Sequence, residues 1–122
     1  MKLITAIIRP DKLDELIQIV LENGGHGLTA TEVRGFGRQF GEPDVRTVNA
    51  DLGGLGLPAN RTAALLPKVR IEILVLDDDA ETMVEAIAKH ARTETIGDGK
   101  IWVSTVDSVL RVRTGARDRN AI

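Results

Sequence analysis

The spacing of hydrophobic and polar positions changes several times along this chain, and each change marks an element. Residues 3 to 8, Leu-Ile-Thr-Ala-Ile-Ile, are almost continuously apolar until Arg9-Pro10 stops them, the pattern of a strand buried on both faces. The period then becomes helical: Leu13, Leu16, Ile17, Val20 and Leu21 share a face, Asp11 is placed to cap the start, and Asn23-Gly24-Gly25 supplies the stop. From Gly27 to Gly35, Leu28, Ala30 and Glu32 alternate with Thr29, Thr31 and Val33, predicting a second strand with one wetter face. Val69 to Leu76 is the strongest strand signal in the chain. A second helix follows, with Asp78 and Glu81 arranged like a capping box and Met83, Val84, Ile87 and Ala91 on one side. Ile101 to Thr105 and Val109 to Val112 read as two more strands, the last one short.

In order, these units are strand, helix, strand, long loop, strand, helix, strand: one βαβ arrangement used twice, with a short strand appended. The expected product is an α+β fold of the ferredoxin-like kind, an antiparallel sheet with both helices on one face, as a single domain over residues 1–122. Alternating Ile, Val and Leu are expected on the opposite face, which would then be covered by self-association into a symmetric oligomer. Residues 37 to 66 hold Gly37, Gly41, Gly53, Gly54, Gly56, Pro43 and Pro58 and keep no period, so they predict a functional or disordered excursion.

Composition narrows the partners. With 43% apolar and 28% charged residues in a chain of 122, the sequence is ordinary for a folded domain. A net charge of −2 gives no electrostatic case for nucleic acid or an anionic membrane. The absence of cysteine excludes disulfides and thiolate metal sites and fits a reducing cytoplasm. No apolar run reaches spanning length, and the one before Arg9-Pro10 is too short for a signal peptide, so a cytoplasmic location is expected.

The candidate chemistry centres on Thr93 to Val103, Thr-Glu-Thr-Ile-Gly-Asp-Gly-Lys-Ile-Trp-Val. Gly97 and Gly99 allow backbone N–H groups close to a phosphate, and Lys100 adds a mobile point charge. Taken alone, Gly-Asp-Gly-Lys fits an ordinary turn with an exposed lysine better than an anion site, and the motifs around it shift the balance. Arg111 and Arg113, at i and i+2 on the expected last strand, would project to one face and could grip a polyphosphate together, although the pair alone equally fits a solvated strand edge. His26 and His90 have no ligand partners at metal spacing and read as surface or partly packed histidines. Trp102 is expected to pack in the sheet, and Arg117, Asp118 and Arg119 to form a mobile polar tail.

Several stretches together resemble the PII nitrogen-regulatory signal transducers. They are Ile7-Ile8-Arg9-Pro10, Thr31-Glu32-Val33-Arg34-Gly35-Phe36-Gly37-Arg38-Gln39, Pro67-Lys68-Val69-Arg70-Ile71-Glu72, Ile96-Gly97-Asp98-Gly99-Lys100, Arg111-Val112-Arg113-Thr114-Gly115 and Asn120-Ala121-Ile122. The resemblance implies a homotrimer with ATP or ADP in the clefts between subunits. Residues 37–66 would be the family's T-loop, 93–100 its B-loop and 109–122 its C-terminal segment. Gly27, Leu28, Thr29, Glu72 and Leu74 fall on positions that hold adenine and ribose. Gly35, Gly37, Arg38, Gln39, Ile96, Gly97, Asp98, Gly99, Lys100, Arg111 and Arg113 complete the implied nucleotide site, with Gln39 finishing Mg²⁺ coordination beside the ATP phosphates. Gln39, Phe40, Gly41, Lys68 and Gly97 fall on the implied site for 2-oxoglutarate, which Mg-ATP would help to build and ADP would not. Effector binding would reshape the base of the T-loop, and with it the surface shown to a membrane transporter of the ammonium-channel type, a metabolic enzyme or a regulator.

The chain also departs from that family. It has no tyrosine, so uridylylation or adenylylation at a T-loop tyrosine is excluded. The loop between Gln39 and Lys68 is longer than usual, Phe40 stands where a lysine is common, and Thr95 replaces a frequent B-loop lysine. One alternative is a divergent relative that keeps adenine nucleotides but senses a different small anion such as bicarbonate, in the service of carbon uptake. A phosphate-transferring enzyme is disfavoured because no histidine or cysteine lies near the loop motifs, and a purely structural trimer is the remaining alternative.

Overall fold

The computed structural model describes residues 1–37 and 65–122. Six elements organise them: β1 (Lys2–Ile8), α1 (Leu13–Glu22), β2 (Thr29–Gly35), β3 (Leu66–Val75), α2 (Ala80–Ala91) and β4 (Lys100–Thr105). The strands form one sheet in the order β2-β3-β1-β4, every pair antiparallel, so the α+β ferredoxin-like expectation is met. Strand alternation divides the sheet into two faces. Ile4, Ala6 and Ile8 of β1 and Val69, Ile71, Ile73 and Val75 of β3 point toward the helices, where Leu16 and Val20 of α1 and Met83 and Ile87 of α2 close the core.

Several local expectations are corrected. A 3-10 turn, Pro10–Lys12, precedes α1, and another, Asp77–Asp79, precedes α2; neither Asp11 nor Asp78 caps a helix, because the chain enters each one already wound. Asp77 instead accepts a hydrogen bond from the N-terminal amine at 2.9 Å. Strand β3 starts earlier than its pattern suggested and includes Pro67. That position is tolerated because β1 pairing ends at Ile8↔Val69 while β2 continues to Gly35↔Leu66, leaving β3 an edge where a missing N–H breaks no ladder bond.

The expected strand Val109 to Val112 does not form. Leu110 makes a single bridge to Arg117, and the backbone N–H groups of Thr114 and Gly115 donate to the Arg111 carbonyl at 3.3 and 2.8 Å. The segment folds on itself, so Arg111 and Arg113 do not share a strand face. The tail is also built into this turn: the Asp118 N–H donates to the Val109 carbonyl at 2.8 Å, Asp118 Oδ1 accepts from the Val109 N–H at 3.2 Å, and Asp118–Ala121 form a 3-10 turn.

The face of the sheet away from the helices is mixed rather than apolar. Along β3 it carries Lys68, Arg70, Glu72 and Leu74, and one row across the sheet reads Trp102, Thr5, Glu72, Thr29. Trp102 is 45% exposed on this face instead of packed. β1 is accordingly buried on the helix side and only half-buried at Leu3 and Ile7.

Gly99 fixes the junction between the glycine loop and the sheet. Its φ is +96°, and a Cβ there would lie 1.7 Å from the Ile7 carbonyl oxygen. Gly99→Ala is therefore expected to lower the free energy of unfolding by about 2 kcal/mol or more, measured by denaturant titration. Gly27→Ala, where a Cβ meets nothing within 4 Å, should leave stability unchanged in the same titration.

Candidate functional site

Apart from Asp98 and Arg113, the sequence-predicted residues within the described segments gather into two hollows associated with the open face. One, of about 690 Å³, lies where the end of the sheet faces the glycine loop, with β1 between β3 and β4. It is lined by Gly35, Gly37, Lys68, Ile96, Gly97, Gly99 and Lys100, with Ile7, Phe36, Leu66 and Trp102 adding apolar walls. The other, of about 540 Å³, collects Gly27, Leu28, Thr29, Glu72, Leu74 and Arg111, together with Leu3, His26, Ala121 and Ile122. Lys68 and Glu72 lie on the same face of β3 and four residues apart, which at the rise of a strand is about 13 Å. Arg113 sits in the exposed turn and lines neither hollow. Arg38, Gln39, Phe40 and Gly41 lie outside the described residues, as does most of the stretch 37–66.

In the first hollow, the conformation of the loop is set by a carboxylate. Asp98 accepts the N–H groups of Thr93 at 2.7 Å and Glu94 at 2.9 Å, the Thr93 hydroxyl, and Nε of Arg9 at 3.0 Å. The Thr93 hydroxyl and N–H, followed by Arg9 and the Glu94 N–H, hold this carboxyl well below the usual carboxylate range. These bonds close the chain around three residues with left-handed backbone, Glu94 (φ 61°), Gly97 (φ 109°) and Gly99 (φ 96°). Asp98, expected to contact a nucleotide, thus has its side chain committed to the loop itself.

Lys68 approaches the same turn from the sheet. Its ammonium donates to the Gly97 carbonyl at 2.6 Å, and the residue is 9% exposed. Burial, with the nearby Arg9 guanidinium, pushes its pKa below the ordinary lysine value, and Asp98 opposes that shift. In the second hollow, Arg111 Nη2 donates to the Ile122 backbone oxygen at 3.2 Å, so the tail orients the guanidinium. Glu72 is paired there with Arg70 of its own strand.

The sequence reading missed Arg9, His26, Phe36 and Trp102 as members or supports of these hollows. Arg9 had a signal: the residue before a proline is held extended, and Arg9 has φ −66° and ψ 140°. His90, expected at the surface or partly packed, is half-buried; its Nδ1 lies 2.8 Å from Glu15 Oε1, linking the two helices. Among the described residues, no group of three or more His, Asp or Glu side chains could hold a metal ion, and no helix is long and apolar enough to cross a membrane.

The family model described as nitrogen regulatory protein P-II matches residues 1–116. The chain belongs to the P-II family. It is 47% identical over 122 residues to nitrogen regulatory protein P-II 2 of Methanothermobacter thermautotrophicus, covering 100% of this chain and 97% of that relative. It is 44% identical to nitrogen regulatory protein P-II of Rhizobium meliloti and 46% identical to nitrogen regulatory protein P-II 1 of Escherichia coli K12, each over 100% of both chains. Membership in a nitrogen-regulatory family fits a signalling role, and the resemblance first read from short motifs extends through the whole chain.

In this P-II chain, Asp98 links loop geometry to pH. Its folded-state pKa is depressed, so its stabilising contribution is complete above the ordinary carboxylate pKa and fades as pH falls toward the folded value. Asp98→Asn is expected to lower the thermal unfolding midpoint at pH 7. The gap from the unaltered protein should narrow progressively as the pH is taken below about 4, and an equal gap at all pH values would exclude this ionised contact.

Proposed function

We propose that this protein is a non-enzymatic signal transducer that binds ATP or ADP in clefts completed by neighbouring copies of itself in a homotrimer. The carrying observation is the division of the candidate residues into two complementary hollows. One offers a glycine turn with Lys100 for phosphates, and the other offers Thr29, Glu72 and Arg111 for the nucleoside end and its nearest phosphates. Covering the open face with a second copy would bring one kind of hollow against the other and bury Trp102 and Leu74, which are otherwise exposed.

The residues suit the ligand chemically. A lysine ammonium and a guanidinium give charge-assisted bonds to phosphate oxygens, and the glycine turn has no side chain at Gly97 or Gly99 to obstruct close approach of backbone N–H groups. Mg²⁺ would neutralise phosphate charge, with Gln39 as the implied protein partner. Lys68 is the implied partner of a 2-oxoglutarate carboxylate, and its contact with Gly97 ties the effector position to the phosphate loop. Residues 37–66 would carry the signal to a transporter of the ammonium-channel type, a metabolic enzyme or a regulator in the cytoplasm. Commitment of Asp98 to the loop removes the nearest candidate general base, which supports a sensing rather than a catalytic role.

Calorimetry tests this reading. ATP and ADP should bind, 2-oxoglutarate should bind only in the presence of Mg-ATP, and Arg111→Ala should weaken ATP about tenfold or more. Bicarbonate replacing 2-oxoglutarate as the effector would reassign the sensed metabolite. Absence of nucleotide binding, or ATP turnover well above about 1 s⁻¹, would overturn the proposal.

A further inference from the structure

Arg9 spans more of the glycine loop than any phosphate-site role requires. Its Nε donates to Asp98 Oδ1 at 3.0 Å, while Nη2 donates to the Thr95 hydroxyl at 2.8 Å and to the Ile96 carbonyl at 2.9 Å. The guanidinium fork thus holds three points on one turn, a geometry that a point-charge ammonium cannot copy. The pair is shielded, with Arg9 19% and Asp98 23% exposed at the side chain, so it is more than a surface ion pair. Pro10 restricts the Arg9 backbone to the extended region, which directs the side chain from the end of β1 toward the loop. Arg9 lines neither of the two hollows that hold the candidate ligand residues.

We infer that Arg9 is a positioning residue for phosphate binding: it locks Thr95, Ile96 and Asp98 so that the backbone from Gly97 to Gly99 is preset for an anion, without touching the anion itself. This rests on the nucleotide-binding reading above. Preorganisation of this kind raises affinity by removing the ordering cost at the moment of binding.

The experiment compares the unaltered protein with Arg9→Gln, Arg9→Lys and Asp98→Asn in two measurements. Calorimetry with ATP and with adenosine separates phosphate recognition from nucleoside recognition. Hydrogen exchange of residues 93–99 in the ligand-free protein reads the pose of the loop directly. Arg9→Gln should weaken ATP about tenfold, leave adenosine unchanged and accelerate exchange in the loop; Arg9→Lys should recover only part of either effect. Adding Arg9→Gln to Asp98→Asn should cost less than it does alone, because both act through one contact. Unchanged ATP affinity, or equal losses for ATP and adenosine, would overturn the assignment. If the unaltered protein binds no ATP, the nucleotide reading fails, and with it the phosphate role of Arg9; loop exchange then still decides whether Arg9 sets the loop.

Discussion

The structure depends on one asymmetry: both helices cover the same face of the sheet. The two βαβ units set α1 and α2 against each other on that face, so Ile4, Ile71, Ile73, Leu16, Met83 and Ile87 can form a single core. Among the described residues, no helix covers the opposite face. It is instead furnished with Lys68, Arg70, Glu72, Thr29 and Trp102, side chains that suit recognition better than a buried core. Fold and candidate site therefore share an origin, since the same strands that build the core on one side present the hollows on the other.

The glycine loop joins these layers. It leaves α2, is gathered around the Asp98 carboxylate and enters β4 at Gly99, against the Ile7 carbonyl of β1. Because Gly99 sits against the central strand and Lys68 reaches Gly97 from β3, the loop is anchored to the sheet at two places. A ligand that shifts the loop must therefore disturb β1 or β3, and β3 begins where residues 37–66 end. Under the proposed reading, this continuity would carry a shift of the loop to the start of β3.

The legible parts of the sequence were those governed by long-range periodicity. Strands β1, β3 and β4 and both helices announce themselves because burial on one face demands regular spacing, and the glycine loop does so because left-handed backbone favours glycine. The failures were local. Asp11 and Asp78 resembled caps, but 3-10 turns precede both helices and make a side-chain cap unnecessary. Val109 to Val112 has strand composition, yet the turn at Thr114-Gly115 pairs it with its own tail. Arg9 escaped notice as a support of the loop because its partners lie near residue 98, a separation that no local pattern encodes.

The central claim is that each nucleotide site draws its two hollows from different copies of the chain. Mixing subunits tests this most directly. Lys100→Ala disables the glycine-loop side and Arg111→Ala the other, so each variant alone should bind ATP poorly. Unfolding and refolding an equal mixture should restore full-affinity binding at about a quarter of the sites, because only neighbours in one order bring two intact hollows together. Titration of the mixture without any recovered high-affinity sites, although the variants have co-assembled, would contradict the claim.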